Sequence, residues 1–252
     1  MRRFIREWTM ASRIRNAALF MISAPSIYFA VSVYSHFRLE QRIAKEIEAL
    51  GGIVDRNYHG PSWLPTQALA KSDVFLRIEG VDFMSNAVNA DLISRLRSLP
   101  HLNRLVISGT VLTEEHMLAI GQLATISLLD LGSTGIGDTE FSRIKTLTKI
   151  TWLSIENTRV SDNGMRVIAD MPYVEILNIN ITHITDDGMW VIKGMERLIT
   201  LTMNNTSITD IGLLRVDGLA LRAVYAIGAR TTAAGRASLR RVLPNCAIWP
   251  DP

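Results

Sequence analysis

Apolar residues return along this chain at a fixed step of 24. Leu105, Leu129, Leu153, Leu177 and Leu201 form one series, and Ile107, Leu131, Ile155, Ile179 and Met203 follow two positions later. Alternation at a spacing of two is the mark of a strand with one buried face. Further along each unit come Met117, Phe141, Met165, Met189 and Leu213, then Ile120, Ile144, Ile168, Ile192 and Val216, then Leu123, Leu147, Met171, Met195 and Leu219. Steps of three along the chain mark one face of a helix or of a tight helical turn. Polar positions keep the same register: Thr110, Thr134, Thr158, Thr182 and Thr206, and Asp138, Asp162, Asp186 and Asp210. A strand-turn-helix unit this small cannot bury its apolar face alone, so the units must stack. The pattern predicts an α/β solenoid with a parallel sheet on its concave side and helices on its convex side.

Both ends of the array are irregular. Ile93, Leu96, Leu99 and Leu102 continue the helical half upstream, but the matching strand, near residues 74–78 or 81–83, reads as displaced by an insertion, which makes this unit the expected amino-terminal cap. Beyond Leu219, Tyr225 and Ile227 keep phase, Arg230 replaces the threonine and Ala234 the aspartate, so this unit is the expected carboxy-terminal cap.

Residues 16–37 contain no formally charged side chain. As a helix they reach about 33 Å, enough to cross the hydrocarbon of a bilayer. The expectation is a single transmembrane helix that also serves as a signal anchor. A cleaved signal peptide, with Ala30 and Ser32 at a small-residue site, and a buried soluble helix are the alternatives. Arg2, Arg3, Arg6, Arg13 and Arg15 precede the segment and Arg38, Arg42 and Lys45 follow it, an imbalance that favours a cytoplasmic amino terminus and a body outside the cytoplasm. Leu39, Ile43, Ile47 and Leu50 then repeat at helical spacing before Gly51-Gly52, whose backbone can take the left-handed turn that stops a helix. The expected division is a basic tail at 1–15, a transmembrane helix at 16–37, an amphipathic stalk helix and connector at 38–73, and the repeat body with its caps at 74–252.

Charge narrows the function classes. The whole chain of 252 residues carries +3, but residues 1–15 hold five arginines against Glu7, so the remainder has 22 basic and 23 acidic side chains. A nearly neutral body lacks the broad basic surface that nucleic acid requires. The single cysteine, Cys246, excludes an internal disulfide and any Cys-rich zinc site.

The unit running from Leu153 through Ile155, Thr158, Val160, Asp162 and Gly164 to Met165, echoed from Leu177 to Met189 and from Leu201 to Leu213, resembles the L-x-L-x-x-T-x-I-T-D-x-G-L class of leucine-rich repeats. The wider chain is similar to a group of bacterial membrane-anchored leucine-rich-repeat proteins. These have a basic amino terminus, one span, a helix ending in Leu-Gly-Gly, a Gly-Pro-Ser-Trp-Leu segment and a closing Leu-Pro-x-Cys-x-Ile. Here those elements are Leu50-Gly51-Gly52, Gly60-Pro61-Ser62-Trp63-Leu64 and Leu243-Pro244-Asn245-Cys246-Ala247-Ile248. The resemblance covers nearly the whole chain, departs at the first strand and the last repeat, and implies fold and location rather than chemistry.

Little in the sequence points to catalysis. The four periodic aspartates read either as a metal stack or as caps, each with Ser161, Thr185 or Thr209 before it, facing the positive end of the helix that follows. Helix diameter sets successive ones about 10 Å apart, too far to share an ion. The threonine hydroxyls suit the strand-to-turn corner, where backbone groups need partners. The five histidines show no metal-ligand spacing, and Glu114-Glu115-His116 falls at a helix start. Neither a Walker loop, a dinucleotide fingerprint nor a nucleophile elbow is present. The expectation is a protein that is no enzyme, with no catalytic residue, cofactor or metal.

The outward strand positions remain. Arg104, Leu128, Asp130, Trp152, Ser154, Glu156, Ile176, Asn178, Asn180 and Asn204 flank the buried pairs. Leu128, Trp152 and Ile176 are apolar where water is expected, and exposed contiguous apolar surface with a tryptophan often marks an interface. Three readings stand: a docking face for a protein or peptide, a surface covered by the chain's own segment around residues 57–64, or a surface with no role. The expected function is a membrane-anchored protein-protein interaction module, with the lipid bilayer as second partner through the amino-terminal helix. The rival is a structural protein that self-associates or binds polysaccharide through the Asn and Thr run at 178–206.

Overall fold

The computed structural model describes residues 24–59, 75–84 and 88–251. Contacts divide the chain into two units, Met1–Arg42 with Tyr58–Leu76 and Ile43–Asn57 with Arg77–Pro252. In the first, helix α1 (Ala24–Ala49) carries Tyr34 6.4 Å from Phe37, with the Arg38 guanidinium 5.8 Å from the Tyr34 ring centre. Tyr58 meets Phe75 edge-on at 6.2 Å. The expected span at 16–37 begins outside the described residues. Among the described residues no helix is long and apolar enough to cross a membrane. Six charged side chains, from Arg38 to Glu48, fill the second half of α1.

In the second unit the end of α1 joins the repeat core through Ile43, Ala44 and Ile47. Leu39 and Leu50, expected on the same face, remain 38% and 37% exposed. At 100° per residue they lie to one side of the buried stripe. Glu46 pairs with Arg95 of α2 (Ala90–Leu96) through two contacts of 2.6 and 2.7 Å, and this bond holds the Glu46 carboxyl below the usual carboxylate range. Gly51 takes φ of 81° and Gly52 donates back to the Ile47 carbonyl at 2.9 Å, the hydrogen-bonded stop expected at this pair.

The sheet runs in chain order through β1 (Ile53–Tyr58), β2 (Leu76–Asp82), β3 (Arg104–Val106), β4 (Leu128–Asp130), β5 (Trp152–Ser154), β6 (Ile176–Asn178), β7 (Thr200–Thr202), β8 (Ala223–Tyr225) and β9 (Ala247–Trp249). Neighbours from β2 to β9 pair in parallel. Between strands lie short helices and 3-10 turns such as α3 (Glu114–Ile120), α4 (Asp138–Phe141) and α5 (Asp162–Ile168). The threefold spacing of the apolar residues suits both forms. All five leucines of the strand series are fully buried, as are Met117, Phe141, Met165, Met189 and Leu213.

Two expectations fail at the ends of the array. Strand β2 is not displaced: Val81 pairs with Leu105, and Val81 and Phe83 fill the two core positions one full step before Leu105 and Ile107. The outward Gly80 between Glu79 and Val81 disguised the alternation. At the other end Leu201 pairs with Val224, one residue short of the 24-residue step. Val224 and Ala226 therefore enter the core, while Tyr225 turns outward and Ile227 is exposed. A single-residue shift in a strand exchanges its two faces.

Each repeat closes with the same set of bonds. The hydroxyls of Thr134, Thr158, Thr182 and Thr206 donate to the carbonyls of Leu131, Ile155, Ile179 and Met203 at 2.6–2.8 Å, which satisfies the corner that each strand leaves open. Next to the threonines runs a column of left-handed residues: Gly109, Ser133, Asn157, Ile181, Asn205 and Gly228. The periodic aspartates, expected as caps, do not cap their own helices. Ser161 and Thr209 are the N-caps, and each aspartate stands one residue inside. Its carboxylate reaches forward to the next repeat: Asp162 accepts from Thr185 N, Thr185 Oγ1 and Gly188 N at 2.8, 2.8 and 3.0 Å, and Asp186 repeats this with Thr209 and Gly212. The glycine of each Asp-x-Gly leaves the space that the incoming carboxylate needs. A Cβ on Gly188 would lie 2.5 Å from Asp162 Oδ1 and 3.0 Å from Ile184 Cγ2.

Gly188→Ala should destabilise the chain by about 1–3 kcal/mol through overpacking. Gly194→Ala, six residues on and with nothing near its Cβ, should be neutral or stabilise by up to about 1 kcal/mol in denaturant titrations. Ile181 is β-branched yet holds φ of 53° while 44% exposed, so Ile181→Asn, the residue found at 157 and 205, should raise stability by about 1 kcal/mol.

Candidate functional site

Register brings the outward strand residues into columns. Arg104, Leu128, Trp152 and Ile176 are direct neighbours from β3 to β6, and Thr200, Ala223 and Ala247 continue the line. Leu128, Trp152 and Ile176 are half-buried and adjacent, so the apolar column expected from alternation is a physical patch. Arg104 turns away from it. Its guanidinium lies over Gly80 and pairs with Asp55 of β1 at 2.6 Å, a path that a side chain at position 80 would obstruct.

The second column runs through Asp82, Val106, Asp130, Ser154, Asn178, Thr202, Tyr225 and Trp249. Asp82, Asp130 and Asn178 each accept from the backbone N–H two residues ahead, at 2.8, 2.9 and 3.1 Å, and so fix the strand end as a local turn. Burial pushes the Asp130 carboxyl above the usual carboxylate range. Bonds from Gly132 N and the Ser154 hydroxyl oppose the shift, and the nearby charges of Glu156 and Asp82 add to it. Ser154, expected to face water, is only 2% exposed, because its short side chain sits between Asp130 and Asn178.

Asn178, Asn180 and Asn204 are committed to the frame. Asn178 Nδ2 donates to Glu156 at 2.8 Å and its Oδ1 also accepts from Thr202 Oγ1 at 2.8 Å. Asn180 Oδ1 accepts from Asn204 N, and Asn204 Oδ1 from Ile227 N, both at 2.7 Å. This amide ladder ties successive turns together.

Three outward residues escaped the sequence reading. Asp82 was missed with its strand. The 24-residue step sets Tyr225 in the core and gives Trp249 no repeat partner; in the structure their rings stack at 5.2 Å and 12° at the end of the second column. The only signal for them was the single missing residue before β8. Elsewhere, His116 completes a helix start: its Nδ1 accepts from Thr113 N at 3.1 Å while its Nε2 reaches the Val88 carbonyl at 2.8 Å. Among the described residues no group of three or more His, Cys, Asp or Glu side chains is placed to hold a metal ion.

No family model and no curated protein matches the chain. Solved structures do. An internalin (inlF) from Listeria monocytogenes aligns over 62% of this chain at 23% identity and a TM-score of 0.51, and this chain spans 43% of that one. Internalin C2 from the same organism aligns over 65% of this chain and 76% of its own at 18% identity and a TM-score of 0.49. The plant peptide hormone receptor RGFR1, solved in complex with RGF2, aligns over 55% of this chain and 22% of its own at 16% identity and a TM-score of 0.37. With its 24-residue step and its sheet of parallel strands, the chain has the fold of a leucine-rich-repeat protein.

Proposed function

We propose that the chain is a non-enzymatic, membrane-anchored interaction module that docks a protein or peptide on the outward face of its sheet. The observation that carries this reading is the contiguous column of Leu128, Trp152 and Ile176, apolar side chains on a face whose other outward positions are mostly polar. Backbone and core are satisfied without these three, so their presence calls for a partner. Tryptophan is among the commonest anchors of protein interfaces, because one side chain buries a large area with few rotamers to lose. The repeats belong, on this proposal, to the Asp-x-Gly class that the sequence resembles.

Anchoring rests on the sequence alone: 22 consecutive uncharged positions at 16–37, preceded by five arginines. The amino terminus then lies in the cytoplasm and the repeat body outside it. The polysaccharide rival is disfavoured by the asparagine ladder, whose carbonyl oxygens already accept from the next repeat. Asn204→Ala would therefore act first on the turn at Ile227.

A photoreactive residue at position 152 in intact cells should crosslink one specific protein, and Trp152→Ala should abolish co-purification of that protein while leaving the folded repeats intact. Protease added outside the inner membrane should digest the body. Failure to crosslink, together with full protection of the body, would contradict both halves of the proposal.

A further inference from the structure

We propose that the docked partner is an extended segment in which a cationic side chain stands beside an aliphatic or aromatic one. This rests on the docking reading above and adds the chemistry of the partner. The outward face is acidic as well as apolar. Asp82 and Asp130 share the second column, which adjoins the apolar one, and Glu156 lies two residues beyond β5's outward serine, one step farther from Trp152. Within strands β3 to β9 the one cation is Arg104, whose guanidinium is spent on Asp55 across Gly80, and the arginine of β2, Arg77, stands at the other end of that strand, five residues before Asp82. The carboxylates accept hydrogen bonds from Met84 N, Gly132 N and Asn178 Nδ2, all neutral donors that leave their charge uncompensated.

The charge is held against its own cost. Burial and the charges of Glu156 and Asp82 both raise the Asp130 carboxyl, so its ionised form weighs on the folded state at neutral pH. A folded-state value above the unfolded one means that this penalty is present at neutral pH and fades as the pH falls through the folded-state value. A carboxylate kept for stability would show the opposite sign. A lysine or arginine arriving over Asp130 and Glu156 removes the penalty, while an apolar neighbour on the same segment meets Trp152.

Spacing agrees with this pairing. Adjacent strands stand about 4.8 Å apart and successive outward residues of one strand about 7 Å apart. The apolar column and the acidic column are therefore separated by about the distance between alternate side chains of an extended peptide. A nucleic acid or an anionic lipid surface would meet repulsion at the same place.

The test uses the full-length chain and three amidated dodecapeptides: one in which lysine and leucine or phenylalanine take turns at every second position with serine between, so that both stand on one face of the extended chain, one with glutamate in place of lysine, and one with serine in place of the apolar residues. Titration calorimetry should show the first binding at least about tenfold more tightly than either of the others, with affinity falling as salt rises. The double variant Asp130→Asn with Glu156→Gln should lose about tenfold for the lysine peptide and should be no less stable than the native chain at neutral pH, the difference shrinking on acidification. Equal binding of the glutamate peptide, or undiminished binding by the double variant, would overturn the proposal. If the protein crosslinked at position 152 is captured as well by the double variant as by the native chain, the docking reading survives and the cationic chemistry alone fails; if the native chain itself captures nothing, both fail.

Discussion

The carboxylates of Asp138, Asp162, Asp186 and Asp210 each accept hydrogen bonds from the repeat that follows, and the rest of the body depends on that forward reach. A unit of 24 residues buries too little apolar area to fold alone, so its stability lies in the contact with its neighbours. Hydrophobic columns supply the driving force, but apolar contact by itself tolerates sliding. The aspartate pins one repeat to the N-cap backbone and hydroxyl of the next, and the glycine two residues after it keeps the space for the carboxylate that arrives from the preceding repeat. The pin persists to Thr232, where Asp210 still finds backbone and hydroxyl donors although the last step is one residue short.

With core, corners and helix starts satisfied internally, the outward face of the sheet is free to vary. Its polar members divide into two kinds. Asn178, Asn180 and Asn204 extend the frame across the turns, whereas Asp130 and Glu156 place charge on a half-buried surface that the frame does not need. The apolar column beside them stands in the middle of the array, where a partner would meet several strands at once. The same parallel register that stacks the core aligns Leu128, Trp152 and Ile176 into one patch.

Most of the frame was legible in the sequence because it is periodic. The leucine, isoleucine and threonine columns, the parallel sheet and the apolar outward column all follow from alternation and the 24-residue step. What was not legible is what breaks or crosses the period. Gly80 hid a strand that is in phase, because an outward glycine removes the polar beat of the alternation while making room for Arg104. The shortened last step turned Tyr225 outward to stack on Trp249, an exchange that a fixed period reads backwards. Local pattern sets the aspartates at their own helix starts, whereas the partner that matters lies 23 residues ahead, where no local pattern reveals it. Strand β1, which supplies Asp55 to Arg104, belongs to no repeat and had no signal at all.

On the proposed docking, the column around Trp152 is open to a partner and lies in an acidic field. Tryptophan fluorescence of a chain retaining Trp152, with Trp8, Trp63, Trp190 and Trp249 replaced by phenylalanine, tests both parts at once. Acrylamide should quench the emission readily, and caesium should quench it more strongly than iodide at low salt, because the neighbouring carboxylates gather cations and repel anions. Blue-shifted emission resistant to every quencher would mean that the column is covered core, and quenching favouring iodide would contradict the acidic field.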